Sequence, residues 1–230
     1  MQKLIDIILN FFKQLFTSRR TVTTPVQDDD DDDNGTIIVG TQPNQSNPPV
    51  EESNPAVVES TVPPIQNYKE LDVGLTSQAF QSVYLDYHRY PAVEVWKTIG
   101  GGLNDAYGKD GSIDATANSC ATRMSHALNY AGVPIPKGSI GANRNYDGTT
   151  SGDNLYYIIQ ARKLRTYLHE SWGAPNQTLT HPKQIDMLKQ TLKANQYAII
   201  ISDGHASAVS PEYNDNYIRH YLGDMWILPL

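Results

Sequence analysis

NSCATRMSHALNYAGVPIP, residues 118–136, reads as one helix with defined ends. Ala121, Met124, Leu128 and Ala131 recur at three, four and three residues, the spacing of a buried helical stripe. Asn118 and Ser119 are suited to cap its start. Gly132 is suited to stop it, and Pro134 and Pro136 prevent continuation. The spacing predicts a helix over 119–131, with Cys120 in the first turn and outside the stripe. A lone cysteine is usually a small buried apolar residue. Here the free N–H groups and the dipole of a helix start favour a thiolate, the reactive form of the side chain. The same N–H groups suit the oxyanion of an acyl-transfer intermediate. Cys120 is therefore a candidate nucleophile.

Outward from this helix, a Gly-, Asn- and Ser-rich loop is expected over about 137–153. A second helix is expected over 154–170, with Leu155, Ile158, Ile159, Leu164 and Leu168 inward, and a third over 182–194. Tyr197-Ala198-Ile199-Ile200-Ile201 reads as a strand buried on both faces. Asp203-Gly204 reads as a tight turn, His205 to Val209 as the return strand, and Met225 to Leu228 as a closing strand. Helices followed by an antiparallel sheet argue for an α+β fold. N-terminal to the cysteine helix, residues 75–97 are rich in aromatic and aliphatic side chains, interrupted by Pro91. Gly100-Gly101-Gly102 reads as a flexible turn. Lacking a following Lys-Ser/Thr, it is no phosphate loop.

A cysteine nucleophile needs a histidine base, and the base needs an orienting group. Of the six histidines, His205 is the candidate, because it opens a strand after a tight turn. His126 shares the cysteine helix, but six residues on it lies about 240° round the axis. His88, His169, His181 and His220 have no comparable placement. Asp215, Asn214, Asn216 and Glu212 all follow His205 closely enough to orient it, and Asp203 more simply serves the turn.

Composition limits the alternatives. Residues 1–66 hold ten acids and four bases, −6 of the net −7. The rest is close to neutral, with no Lys/Arg cluster to bind nucleic acid. One cysteine excludes an intrachain disulfide and a Cys-based zinc site. The chain divides into an amphipathic helix (1–16), an acidic Pro-rich linker expected to be disordered (17–66) and a folded domain (67–230). The 1–16 segment is too short to span a bilayer and has no small-residue cleavage site. It reads as an interfacial helix, a docking tag, or a helix packed on its own domain. The linker holds seven of the fourteen prolines and a run of six aspartates, Asp28 to Asp33.

The block around the cysteine resembles the fourth family of type VI secretion amidase effectors, whose pattern is Asn-x-Cys-x-x-Arg-Met-Ser, then Leu-Asn and a Gly. Asn118, Cys120, Arg123, Met124, Ser125, Leu128, Asn129 and Gly132 match it. Gly-Gly within 100–102, Tyr156 to Leu168, and Trp226-Ile227-Leu228-Pro229 are also similar, so the likeness spans about 78–230. It implies a papain-like, NlpC-related α+β fold with a helical half packed on a C-terminal antiparallel sheet. It implies a cysteine amidase without metal or other cofactor. Its substrate is the γ-D-glutamyl–meso-diaminopimelate bond of the peptidoglycan stem peptide. Cys120 is then the nucleophile and His205 the base. The third residue is an aspartate about eleven positions after the histidine, for which Asp215 is nearest. Arg123, Met124 and Ser125 read as structural. A toxin of this kind is made in the cytoplasm without a signal peptide and injected, acts in the target's periplasm, and has a cognate immunity protein. Residues 1–66 then suit contact with an injection-machine component. The chain departs from the family at the histidine strand, where Gly-His-Val-x-Leu-Trp is replaced by Gly204-His205-Ala206-Ser207-Ala208-Val209. A phage-type cell-wall lysin, or a non-catalytic component of an injection or tail assembly, are the competing readings.

Overall fold

A computed structural model of the 230-residue chain describes residues 62–66, 69–108 and 119–230. The expected helix over 1–16, most of the 17–66 linker and Asn118 lie outside the described residues. In chain order the helices are α1 (Ser77–Val83), α2 (Ala92–Ile99), α3 (Gly101–Tyr107), α4 (Cys120–Tyr130), α5 (Ala161–Trp172) and α6 (Lys183–Thr191). The strands are β1 (Ala142–Arg144), β2 (Tyr156–Ile158), β3 (Gln177–Thr178), β4 (Ala198–Ile201), β5 (Ala206–Val209) and β6 (Asp224–Ile227). The main sheet has the order β3-β6-β4-β5, all antiparallel, and β1 pairs with β2 as a separate ribbon. The fold class is α+β.

The run Ala198–Ile201 is buried throughout because it separates two cores. Strand periodicity sends alternate side chains to opposite faces. Ile199 and Ile201 join Met124, Leu128, Ala206, Ala208 and Trp226 beneath α4. Ala198 and Ile200 join Ile185, Leu188, Met225 and Ile227 beneath α6. α4 therefore lies on one face of the sheet, across β5, the edge strand.

The cysteine helix ends as its sequence implies. Gly132 takes φ 96° and the Val133 N–H donates to the Leu128 carbonyl, 3.1 Å away. Its start differs from expectation: Ser119 has αR geometry and no capping bond. Its hydroxyl instead accepts from Arg123 Nε at 3.0 Å.

The expected helix over 154–170 is corrected. Tyr156–Ile158 is a strand, and α5 begins only at Ala161. The apolar spacing that suits a helix also suits alternation here. Tyr156 and Ile158 face the α4 core, while Leu155, Tyr157 and Ile159 face a third cluster around Trp96. What holds β2 extended is tertiary. Ser125 Oγ donates to the Ile158 carbonyl at 2.9 Å and accepts its N–H at 3.0 Å. Asn129 Nδ2 donates to the Tyr156 carbonyl at 2.9 Å. Side chains of α4 thus stand in for a neighbouring strand.

The glycine triplet is also more ordered than a flexible turn. Gly100 and Gly101 have φ 64° and 59°, and α3 starts at Gly101. A Cβ on Gly101 would lie 2.6 Å from Asn145 Oδ1, Gly152 Cα and the Tyr146 carbonyl, so both conformation and close approach require glycine. Finally, the spacer does not run free to residue 66. The carbonyls of Pro63 and Pro64 accept from Gln184 and Gln177, and Ile65 packs on the α6 core.

Candidate active site

Cys120 sits at the first position of α4 and His205 just before β5, and both line one cleft beside the start of that strand. Ser202 and His205 close the hairpin, with the Ser202 N–H donating to the His205 carbonyl at 2.9 Å. The Ser202 hydroxyl accepts the His205 N–H at 3.1 Å. Gly204 has no positive φ, and a Cβ there would lie 3.1 Å from the Tyr221 ring, close enough to press that ring aside by a few tenths of an ångström.

His205 is buried, 6% exposed, and Asp215 is completely buried. His205 Nε2 lies 3.2 Å from Asp215 Oδ2, which leaves Nδ1 for the thiol. Asp215 Oδ1 accepts the N–H groups of Tyr217 (2.6 Å) and Ile218 (2.9 Å). Ser207 Oγ also donates to Asp215 Oδ2. The rings of Tyr87, Tyr217 and Tyr221 stand 5.5, 6.1 and 5.5 Å from the imidazole. Of the other candidate orienters, the Asn214 carbonyl oxygen accepts from Lys189, Glu212 accepts from Ser210, and Asn216 is exposed at the cleft. Asp203 pairs with Arg165 at 3.0 Å.

The electrostatics follow from this geometry. Burial pushes the Cys120 thiol up, but the hydrogen bond and charge of His205, with the N–H groups of Ala206 and Ala121, hold it below its ordinary value. Burial pushes the imidazole down. Bonds to Asp215 and to the thiol outweigh it and raise His205 to about 9. Asp215 is pushed up by burial and held below the usual carboxylate range by its bonds from His205 and Ser207. The lowered thiol and the raised imidazole both shift the pair toward a thiolate facing an imidazolium, the form that attacks a carbonyl carbon and then protonates a leaving amine. His126, by contrast, faces away and is lowered to about 4, chiefly by burial.

A cleft of about 640 Å³ opens onto the sulfur, lined among others by Tyr87, His88, Arg123, His205, Tyr217 and Tyr221. Its wall is fastened by Arg123, only 2% exposed. The guanidinium donates to the carbonyls of Leu85 (2.6 Å) and Tyr90 (2.6 Å), and lies 4.1 Å over the Tyr87 ring. Tyr87 Oη in turn donates to the Ala206 carbonyl at 3.1 Å. Sequence reasoning missed Tyr87, Ser207, Tyr217 and Tyr221. Only the two-residue spacing of Ser207 from His205, which puts both on one strand face, could have flagged any of them. Among the described residues no three His, Cys, Asp or Glu side chains cluster to hold a metal ion.

Residues 116–215 match the family model described as type VI secretion system amidase effector protein 4, Tae4. Solved structures with a similar fold include Tae4 from Salmonella typhimurium in complex with the immunity protein Tai4 from Enterobacter cloacae. It is 21% identical and aligns over 70% of this chain and 100% of that one, with a TM-score of 0.44. Tae4 from Enterobacter cloacae is 18% identical over 71% of this chain and 99% of that one, TM-score 0.44. No curated protein matches the chain. The matched segment contains Cys120, His205 and Asp215, and over these residues the chain is similar to the type VI secretion system amidase effector 4 family.

Proposed function

We propose that Cys120, His205 and Asp215 hydrolyse the amide between γ-D-glutamate and meso-diaminopimelate in the peptidoglycan stem peptide. The Cys120 thiolate attacks the γ-carbonyl carbon. The His205 imidazolium gives its proton to the departing diaminopimelate amine, leaving a thioester on Cys120. Water then attacks the thioester and His205 takes the water's proton; the C–S bond breaks, releasing the γ-glutamyl acid and restoring the thiolate beside the imidazolium. Asp215 holds the imidazole in the required orientation throughout. The observation that carries this reading is a thiol, imidazole and buried carboxylate in series at the base of an open cleft. Cys120→Ala should abolish release of stem-peptide fragments from purified sacculi. Undiminished release ends the assignment.

The setting is that of a delivered toxin. The Salmonella typhimurium Tae4 above is in complex with the immunity protein Tai4, and a cognate immunity protein that binds this chain is the corresponding expectation. Type VI effectors are secreted into target cells, and the peptidoglycan-facing compartment is the periplasm. The N-terminal segment, residues 1–66, suits a loading role on the injection machine. Deleting it should leave hydrolysis by the purified enzyme intact and abolish secretion. Loss of purified activity would count against that role.

A further inference from the structure

We infer that Ser207 is a positioning residue of this site, which sets how tightly Asp215 holds the His205 proton. The inference rests on the assignment of Cys120, His205 and Asp215 above. Ser207 is completely buried on β5. Two residues after His205, it lies on the same strand face, the one turned toward Asp215. Its hydroxyl donates to Asp215 Oδ2, the oxygen that also receives His205 Nε2. Oδ1 is engaged separately by the N–H groups of Tyr217 and Ile218. The carboxylate therefore has four donors, two on each oxygen. The backbone pair fixes its position, and Ser207 competes with the imidazole for one oxygen.

That competition has a direction. A carboxylate oxygen with a second donor is a weaker acceptor toward the first. Ser207 thus lowers the hold of Asp215 on the imidazolium and leaves its proton easier to transfer to the amine. The other groups around the pair are neutral or remote from the transferred proton. Tyr87, Tyr217 and Tyr221 present rings to His205. Tyr84 and Tyr213 lie near Asp215, and burial raises both hydroxyls far above neutrality. Arg123 lies over the Tyr87 ring, 4.1 Å from its centre. Ser207 itself does not line the cleft, so substrate binding should not depend on it.

The test uses the full chain as wild type, Ser207→Ala and Ser207→Thr. Two readouts are taken from pH 5 to 10: steady-state hydrolysis of a diaminopimelate-containing muropeptide, and alkylation of the single cysteine by iodoacetamide. Ser207→Ala should lower kcat about tenfold with KM unchanged. It should move the alkaline limb of kcat and the upper inflection of alkylation to higher pH by roughly half to one unit. Ser207→Thr, which keeps the hydroxyl, should restore both. Alanine inflections that coincide with wild type overturn the proposal, whether kcat is kept or falls merely with the folded fraction. Alkylation reports on the pair without substrate. A chain that cleaves no muropeptide but shows the shifted inflection would refute the substrate assignment and leave the role of Ser207 standing.

Discussion

His205→Ala isolates what the imidazole does to Cys120. In the wild type, burial opposes ionisation of the thiol, and the hydrogen bond and charge of His205 are the largest influences favouring it. Removing the ring leaves the N–H groups of Ala206 and Ala121 against the same burial, so the thiol returns toward or past its ordinary value of 9.0. A thiol at that value is about 1% ionised at pH 7, a loss on the order of 10² relative to a fully formed thiolate. The more basic thiolate is the better nucleophile, with a Brønsted slope of about 0.4–0.5, which recovers part of the loss. The net expectation is alkylation at pH 7 slower by up to about ten- to thirtyfold, with an inflection displaced to higher pH than that of the wild type. Iodoacetamide labelling followed by intact-mass spectrometry gives the rate directly, because Cys120 is the only cysteine. Circular dichroism confirms that the variant is folded. Wild-type reactivity at pH 7 in folded His205→Ala would refute the thiolate–imidazolium pair and the mechanism built on it.

Other outcomes follow from the same geometry. The pH profile of kcat should be bell-shaped. Its acid limb is protonation of the thiolate. Its alkaline limb, near pH 9, is loss of the His205 proton, since activity needs that proton for the leaving amine; an alkaline limb near pH 6.5 would contradict the raised value. Asp215→Asn keeps the shape but removes the charge that holds the imidazolium, and kcat should fall on the order of 10³ with little change in KM. Arg123→Met strands the carbonyls of Leu85 and Tyr90, each worth about 1–3 kcal/mol. Stability should fall by about 4 kcal/mol and Tm by roughly 12 °C, read by calorimetry. Ser125→Ala leaves the Ile158 N–H and carbonyl without their partner and should cost about 2–3 kcal/mol, measured by urea titration.

Much of the fold was legible because its signals are local. The α4 helix announces itself through apolar spacing and a glycine–proline stop, and these short-range features also put Cys120 at its first turn. Ala198–Ile201 reads as a doubly buried strand because apolar residues run unbroken between turn signals. The family resemblance carried by the cysteine block belongs to the same class, being a contiguous pattern.

Other features arise where distant segments meet. Residues 154–160 carry spacing compatible with helix or strand. Hydrogen bonds from Ser125 and Asn129, about thirty residues earlier, make Tyr156–Ile158 within them a strand. Four side chains near His205 were equal as orienters by chain distance. The path of the loop after β5 buries Asp215 against the imidazole, turns Asn214 to Lys189 and leaves Asn216 exposed. Arg123 looked structural from its motif, but its partners, the carbonyls of residues 85 and 90, carry no sequence signature because every residue has one. What the sequence by itself determined is the candidate nucleophile and the helix that presents it, through periodicity and end signals acting within a few residues. What only the tertiary structure decided is which groups surround that nucleophile, since hydrogen-bond partners and burial depend on how separate segments pack in space.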